Sequence, residues 1–348
     1  MNPERVSRWR HPELQPGWID RPHQTLALGD LPLESGDVIR DCAISYVTHG
    51  TRAAAGDNVI LVLTAIGSTH HRLDFLIGPD RPLDPDRHFI ICADALGNGM
   101  STSPSNSLAQ PDLAFPSFTI RDMVASQRLL LDALGIRQLA AVVGASMGGM
   151  QALQWGVSDP QRMRGIVALV PMARTRPWSV AMNEIARRAL MSDAGWPSGP
   201  YGAGYEVWAG LTRVITNRAP GSLEAIAASS VPGLVAEAIA MARKVGADPV
   251  DWVYQSRAYD AHDIGTTPGF VGDTVAALRA TRAPTLLLVP ELDLYNPVGD
   301  AIEAAELIRD ATLVHLPGHA GHAVAADGSP QLAEVRGAIG EFLIRLAV

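Results

Sequence analysis

The sequence has little cysteine, little charge and no long apolar run. Only Cys42 and Cys92 occur in 348 residues. That is too few for a disulfide framework or a cysteine-rich metal site, and a reducing cytoplasm is the simplest compartment. No uncharged apolar stretch reaches the roughly 18 residues a membrane span needs. Met1 to Trp18 is polar, charged and proline-containing, unlike a signal peptide. Charged residues make up 18% of the chain, and 28 basic against 36 acidic side chains give a net charge of −8. The basic residues are scattered, which argues against a nucleic-acid partner. No repeat or low-complexity segment occurs. What is present is apolar: 47% hydrophobic residues can build a large core and exclude disorder as the main state.

The apolar residues cluster in short runs. The first forty residues read as irregular, with early strands near Gln24–Leu28 and Ile39–His49. Asn58–Leu63, Phe89–Ala93, Leu139–Gly144, Ile166–Val170, Pro284–Val289 and Thr312–Leu316 follow. Runs of this length suit parallel strands buried on both faces. Helical patterns lie between them. Ile120–Leu134 puts Met123, Val124, Gln127, Leu130, Leu131 and Leu134 on one stripe, and Gly135 ends it. Met147–Val157 follows the third of these runs directly, and Gln331–Leu346 closes the chain as an amphipathic helix. This alternation predicts a doubly wound, mostly parallel sheet. The spacing breaks between residues 173 and 282, which hold Trp178, Trp196, Trp208 and Trp252 and show no buried strand. An interval of about 110 residues is too long for a loop. It reads as a helical cap inserted before the last strands, over a core of residues 1–172 and 283–348. The cap would cover the sheet edge where ligands bind in open α/β sheets.

Gly144-Ala145-Ser146-Met147-Gly148-Gly149 joins a strand to a helix and fits Gly-x-Ser-x-Gly. In that setting the serine is a nucleophile on a strained turn, and the flanking glycines let strand and helix approach closely. A serine hydroxyl needs a base, and the base needs a carboxylate to orient it. The strand at Pro284–Val289 leads to Glu291 and Asp293, of which Asp293 is favoured. The strand at Thr312–Leu316 leads to His319 and His322. The spacing from the closing helix favours His322, while His315 reads as structural. The oxyanion donors fall on the N–H of Met147 and on the turn after the first central strand, at Ala65 or Ile66. Asp80, Asp84 and Asp86 read as a solvated turn. His70-His71 is an adjacent pair whose side chains should diverge, which speaks against a shared metal site. No metal or nucleotide fingerprint is found, so no cofactor is expected.

Longer runs carry a resemblance. They are Leu76-Ile77-Gly78-Pro79 with Pro82-Leu83-Asp84, Thr119 to Val124, Leu131 to Ile136, and above all Gly144 to Trp155. Arg257 to Asp260 with Asp263-Ile264-Gly265, and Asp293 to Pro297, extend it. In these runs the chain resembles the homoserine O-acetyltransferase (MetX-like) branch of the α/β-hydrolase superfamily. The resemblance implies the α/β-hydrolase fold, a Ser146–Asp293–His triad and an acyl-enzyme. It also implies a helical cap around a deep tunnel and a homodimer joined through the caps. Two departures bear on the reaction. The transferases carry Asp after the catalytic histidine, to hold the amino group of homoserine; here Ala323 follows His322 and Ala320 follows His319. Leu96 to Asn106 (LGNGMSTSPSN) resembles the hydrolase-like members instead. Arg213 matches the position of an arginine that grips the homoserine carboxylate, although its surroundings fit poorly. Losing a buried charged contact costs on the order of 2–5 kcal/mol, enough to favour water over the acceptor. The expected function is therefore carboxylic-ester hydrolysis of a small-molecule acyl ester. The alternative is homoserine or related O-acyl transfer from acyl-CoA. A non-catalytic binding protein on the same scaffold is the remote third reading.

Overall fold

The computed structural model describes residues 11–217, 220–224 and 226–346. The reading of Met1 to Trp18 therefore lies, for residues 1–10, outside the described part. The strands are β1 (Gln24–Pro32), β2 (Val38–His49), β3 (Val59–Leu63), β4 (Phe89–Ala93), β5 (Ala141–Ala145), β6 (Ile166–Leu169), β7 (Thr285–Pro290) and β8 (Ala311–Leu316). They form one sheet in the order β1-β2-β4-β3-β5-β6-β7-β8. β1–β2 and β2–β4 pair antiparallel, and all later pairs are parallel. Every residue of β3, β5, β6 and β7 is buried, as helices on both faces require. The expectation of two buried faces fails at β8, where Thr312 and His315 are exposed. β8 is the edge strand, so a neighbour covers it on one side only.

Helix α1 (Ile120–Ala133) starts on a capping box. The Thr119 hydroxyl accepts from the Asp122 N–H, while the Thr119 N–H donates to Asp122 Oδ2 at 2.8 Å. Its buried stripe holds Met123, Val124, Gln127, Leu130 and Leu131. α2 (Met147–Ser158) runs beneath it, and Gln127 joins the two: it donates to Gln151 Oε1 at 2.6 Å and accepts from Trp155 Nε1 at 2.8 Å.

After β6 come α3 (Pro177–Met191), α4 (Ala203–Asn217), α5 (Val231–Val245) and α6 (Pro249–Asp260). Among the described residues of 173–282 there is no strand. Ala186, Leu190, Tyr205, Trp208, Trp252 and Val253 pack as a cluster of their own. Trp178 stays half exposed, at 49%. α6 faces two ways, since Val250, Tyr254, Ala258 and Tyr259 pack with Met147 and Met150 of α2. The loop from α3 to α4 is gathered on one carboxylate: Asp193 accepts from the N–H groups of Gly195, Gly202 and Tyr205. Two further helices follow, α7 (Thr274–Ala280), within the segment expected to be helical, and α8 (Val298–Leu307), which no expectation covered. Ala277 and Leu278 of α7 join the main core beside Trp155 and Ala152. α9 (Leu332–Leu346) closes the chain on Val335, Ile339, Phe342 and Leu343.

Candidate active site

Ser146 stands between β5 and α2 with φ 56° and ψ −122°, a backbone conformation that a non-glycine residue adopts only under strain. Two glycines make the turn sterically feasible. A Cβ on Gly144 would lie 2.1 Å from the Gly148 carbonyl oxygen, and one on Gly148 would lie 2.5 Å from that of Leu63. Ser146 N–H donates to Leu169 O at 2.9 Å, which ties the turn to β6. Its Oγ is buried and makes no well-aligned hydrogen bond among the described residues. The Tyr259 phenol lies beside it. Burial pushes that hydroxyl's pKa well up, Tyr295 and Asp293 add to the shift, and Asn296 and Ser146 oppose it.

His322 Nδ1 and Asp293 Oδ2 are 2.7 Å apart, with both side chains buried. Asp293 Oδ1 accepts from the N–H groups of Tyr295 at 2.8 Å and Asn296 at 2.9 Å. Its own turn thus fixes one oxygen and leaves the other for the imidazole. A carboxylate only accepts, so Nδ1 carries the proton and Nε2 keeps its lone pair. Glu291 is exposed and is not bonded to His322. His319 is exposed as well, with its ring against the backbone of Gly221. The structure therefore pairs His322 with Asp293, sets His322 and Ser146 on one cavity, and leaves Glu291, His319 and His315 outside.

A cavity of about 370 Å³ is lined by Ser146, His322, Tyr295, Ala65, Ile66 and Arg72, among others. Met147 opens α2, so its N–H has no acceptor within the helix. Among the described residues the N–H groups of Ala65 and Ile66 also have none, whereas the Gly67 N–H donates to Gln255 Oε1 at 2.8 Å. Gln255 Nε2 in turn donates to Leu96 O at 3.0 Å, and Gln151 Nε2 to Thr64 O at 3.0 Å. α6 and α2 together hold the turn after β3.

The sequence reading missed several residues around this site. Tyr259 donates to Asn296 Oδ1, and Asn296 Nδ2 donates to Val170 O at 2.6 Å. Tyr295 donates to Asn183 Oδ1 at 2.8 Å, and Asn183 Nδ2 to Asp260 Oδ1 at 2.7 Å. Arg187 pairs with Asp260 at 2.6 Å. The loop of Asp293 is thus bonded to α3 and α6; Tyr259 and Asp260 lie in a run that carries the resemblance, but the residues alone assign them no role. Arg72 is the other omission. Burial lowers its guanidinium pKa to about 10, and no carboxylate pairs with it among the described residues. A second correction concerns His70 and His71. Their side chains do not diverge: the ring centroids lie 4.1 Å apart and both approach His11.

A family model described as alpha/beta hydrolase fold matches residues 58–329. The chain belongs to this family. Among solved alpha/beta hydrolases it is similar to the acetyl esterase MekB, with a TM-score of 0.85 and 26% identity over 93% of this chain and 97% of that one. It is also similar to an acetylester hydrolase from Corynebacterium glutamicum, with a TM-score of 0.84 and 27% identity over 93% of this chain and 96% of that one. A curated relative, the homoserine O-acetyltransferase of Moorella thermoacetica, is 40% identical over 189 residues, 49% of this chain and 50% of the relative. The chain spans about half the length of the curated relatives it matches. No helix among the described residues is long and apolar enough to cross a membrane.

Proposed function

We propose that the protein is a serine-dependent carboxylic-ester hydrolase working through an acyl-enzyme. The observation that carries this is the Asp293–His322 hydrogen bond, set on one cavity with Ser146 on its strained turn. Ser146 Oγ attacks the ester carbonyl carbon while His322 Nε2 takes the hydroxyl proton. Negative charge gathers on the carbonyl oxygen, where the N–H groups of Met147 and of Ala65 or Ile66 receive it. The carbonyl re-forms, the alkoxide leaves, and His322 returns the proton to it. Water then loses a proton to His322 and adds to the acyl carbon. Collapse of this second intermediate breaks the bond to Ser146, which regains its proton, and frees the acid. Asp293 holds the imidazole in the tautomer this requires and stabilises its charged form. No metal or cofactor enters any step.

The helical segment 173–282 acts as the cap over this cavity. Arg72 supplies it with positive charge, which suits esters that carry a carboxylate. Residues of the cap join two copies into a homodimer, and the enzyme works in the cytoplasm.

The similarity to acetyl ester hydrolases across nearly the whole chain supports water as the second nucleophile. So does Ala323, whose methyl group cannot pair with an ammonium. A second reading, homoserine O-acetyl transfer from acyl-CoA, is favoured by the 40% identity to the Moorella thermoacetica relative. The two share the first half-reaction and part at the acceptor. Turnover of p-nitrophenyl acetate, with and without millimolar homoserine, separates them by mass spectrometry. Free acetate formed at a rate indifferent to homoserine is the expected result. O-acetylhomoserine as the main product would replace the hydrolase with the transferase.

A further inference from the structure

Three histidines meet where the chain before β1 packs on the 3₁₀ turn His70–Leu76, and one of them, His71, lines the cavity that also holds Ser146. His70 and His71 are 2% and 4% exposed, and His11 is half-buried. A ligating nitrogen of each lies within 4.8 Å of the other two.

The hydrogen bonds around them decide where the protons are. His71 Nδ1 lies 2.6 Å from Asp74 Oδ2, and His70 Nδ1 lies 3.2 Å from Asp94 Oδ2. His11 Nδ1 lies 2.6 Å from the Pro12 carbonyl oxygen. Each of these oxygens only accepts, so each Nδ1 carries the hydrogen. A neutral ring then has a bare lone pair on Nε2. The Nε2 atoms of His71 and His11 nonetheless face each other at 3.0 Å, and His70 Nε2 is buried with no partner among the described residues. Two lone pairs at that distance repel unless a cation stands between them. A shared proton can join His11 to His71, but it leaves His70 Nε2 unanswered. A metal ion answers all three.

We propose that His11, His70 and His71 bind one divalent transition-metal ion of the kind that favours imidazole, zinc first among them. Three imidazoles leave the fourth position of a tetrahedron to an exogenous ligand. Neighbouring nitrogens of such a site stand about 3.3 Å apart, so the His11–His71 pair needs only a slight opening. Asp74 and Asp94 hold the rings by their far nitrogens, the carboxylate–histidine–metal arrangement that fixes ring orientation and raises ligand basicity. Both carboxylates are themselves anchored: Asp74 Oδ2 accepts from the Ile19 N–H at 2.8 Å, and Asp94 Oδ1 from the His70 N–H at 2.9 Å and Asn98 Nδ2 at 2.9 Å. Trp18 stacks on the His71 ring at 4.2 Å and shields one side of it. The ion would pin the chain around His11 to the wall of the cavity, which His71, Arg72 and Asp74 help to line. The site stands apart from the acyl-transfer reading, because its occupancy is measured without turnover.

The test uses the full, untagged chain, stripped with a chelator. Equilibrium dialysis against micromolar zinc chloride should leave one zinc per chain by elemental analysis. Cobalt(II) should give the intense visible bands of a four- or five-coordinate nitrogen site, saturating at one equivalent and bleached by zinc. His11→Ala and His71→Ala should each weaken zinc binding at least about 100-fold, and Asp74→Asn by roughly 10–100-fold. His315→Ala, on an exposed strand position, should bind as the unmutated chain does. Should His71→Ala fail to fold, His11→Ala and the cobalt spectrum carry the decision. Zinc well below one equivalent in the unmutated chain would leave only a shared proton and overturn the proposal. So would undiminished binding in His11→Ala.

Discussion

The turn that carries Ser146 and the helices that lie over it are held by opposite kinds of contact. Around Ser146 the chain is apolar and sterically forced. The α2 backbone leaves no room for a Cβ at Gly144, β3 leaves none for one at Gly148, and the backbone at Ser146 accepts a strained φ. Between the helices and the acid loop the contacts are polar and buried, Asn183 to Tyr295 and Tyr259 to Asn296, and Arg187 to Asp260 ties α3 to α6 beside them. Apolar close packing tolerates little displacement. A polar network stands or falls as a set, since each lost partner strands another buried group. Geometry on the sheet side should therefore be insensitive to charge, while the seat of the acid loop should depend on it.

The largest effect expected from this contrast is at the turn itself. Ser146→Ala should lower kcat/KM by at least about 10³-fold with an unchanged unfolding midpoint. His322→Ala should do the same, while His319→Ala stays within about twofold. Residual activity above a few per cent in the serine variant, or the reverse ranking of the histidines, would remove the assignment. Next comes the acid. Asp293→Asn should cost roughly 10²–10⁴-fold through the wrong imidazole tautomer, and Glu291→Gln almost nothing. A mild loss at Asp293 would shift its role to another carboxylate. Breaking the polar side is expected to act on stability. Arg187→Met takes the charged partner from Asp260, leaving it only Asn183, and should cost about 3 kcal/mol in urea unfolding. A loss below about 1 kcal/mol would mean that the ion pair does not seat these helices.

The fourth effect is a pH dependence. Burial lowers His262, at the end of α6, from 6.5 to about 4. Between those values the unfolded chain binds the proton that the folded chain refuses. The contribution is complete above pH 6.5 and is lost as pH falls towards 4. His262→Gln should flatten that part of the stability profile; an unchanged slope would assign it to other groups. The smallest effect concerns Arg72. Arg72→Met should raise KM about tenfold for an ester bearing a carboxylate and leave p-nitrophenyl acetate unaffected, since a lost charged contact is on the order of 1.5–3 kcal/mol. Equal effects on both substrates would mean that Arg72 shapes the cavity rather than recognising charge.

The same contrast explains what could be read from the residues alone. β3, β5 and β7 announce themselves as continuous apolar runs, and α1 as a stripe of apolar residues ended by Gly135. Ser146 is legible because its constraints are local: glycines two residues either side, a strand before and a helix after. Asp293 was favoured over Glu291, but position alone could not decide between them, since both follow β7 closely. The deciding feature is that the N–H groups of Tyr295 and Asn296 close on Asp293 Oδ1 and leave Oδ2 free for the imidazole. β8 was read as doubly buried because a sequence run does not say which strand lies at an edge. α8 went unread because it is short, and α7, shorter still, fell within the segment read as helical without being singled out. The histidine cluster was misjudged for a different reason. Its third member, His11, lies 60 residues from His71, beyond the reach of any spacing rule.

The bond from Gln255 to the Gly67 N–H spans 188 residues. It has a consequence for how this fold can vary. Helices inserted between two strands look like an exchangeable accessory that could be traded between relatives to change substrate. Here one of those helices, α6, grips the turn beside Ser146. A chimera that imported a foreign insertion without a glutamine at this place would release the Gly67 N–H and slacken that turn. The exchange would then alter reaction rate before it altered selectivity, so α6 belongs with the sheet when the chain is recombined.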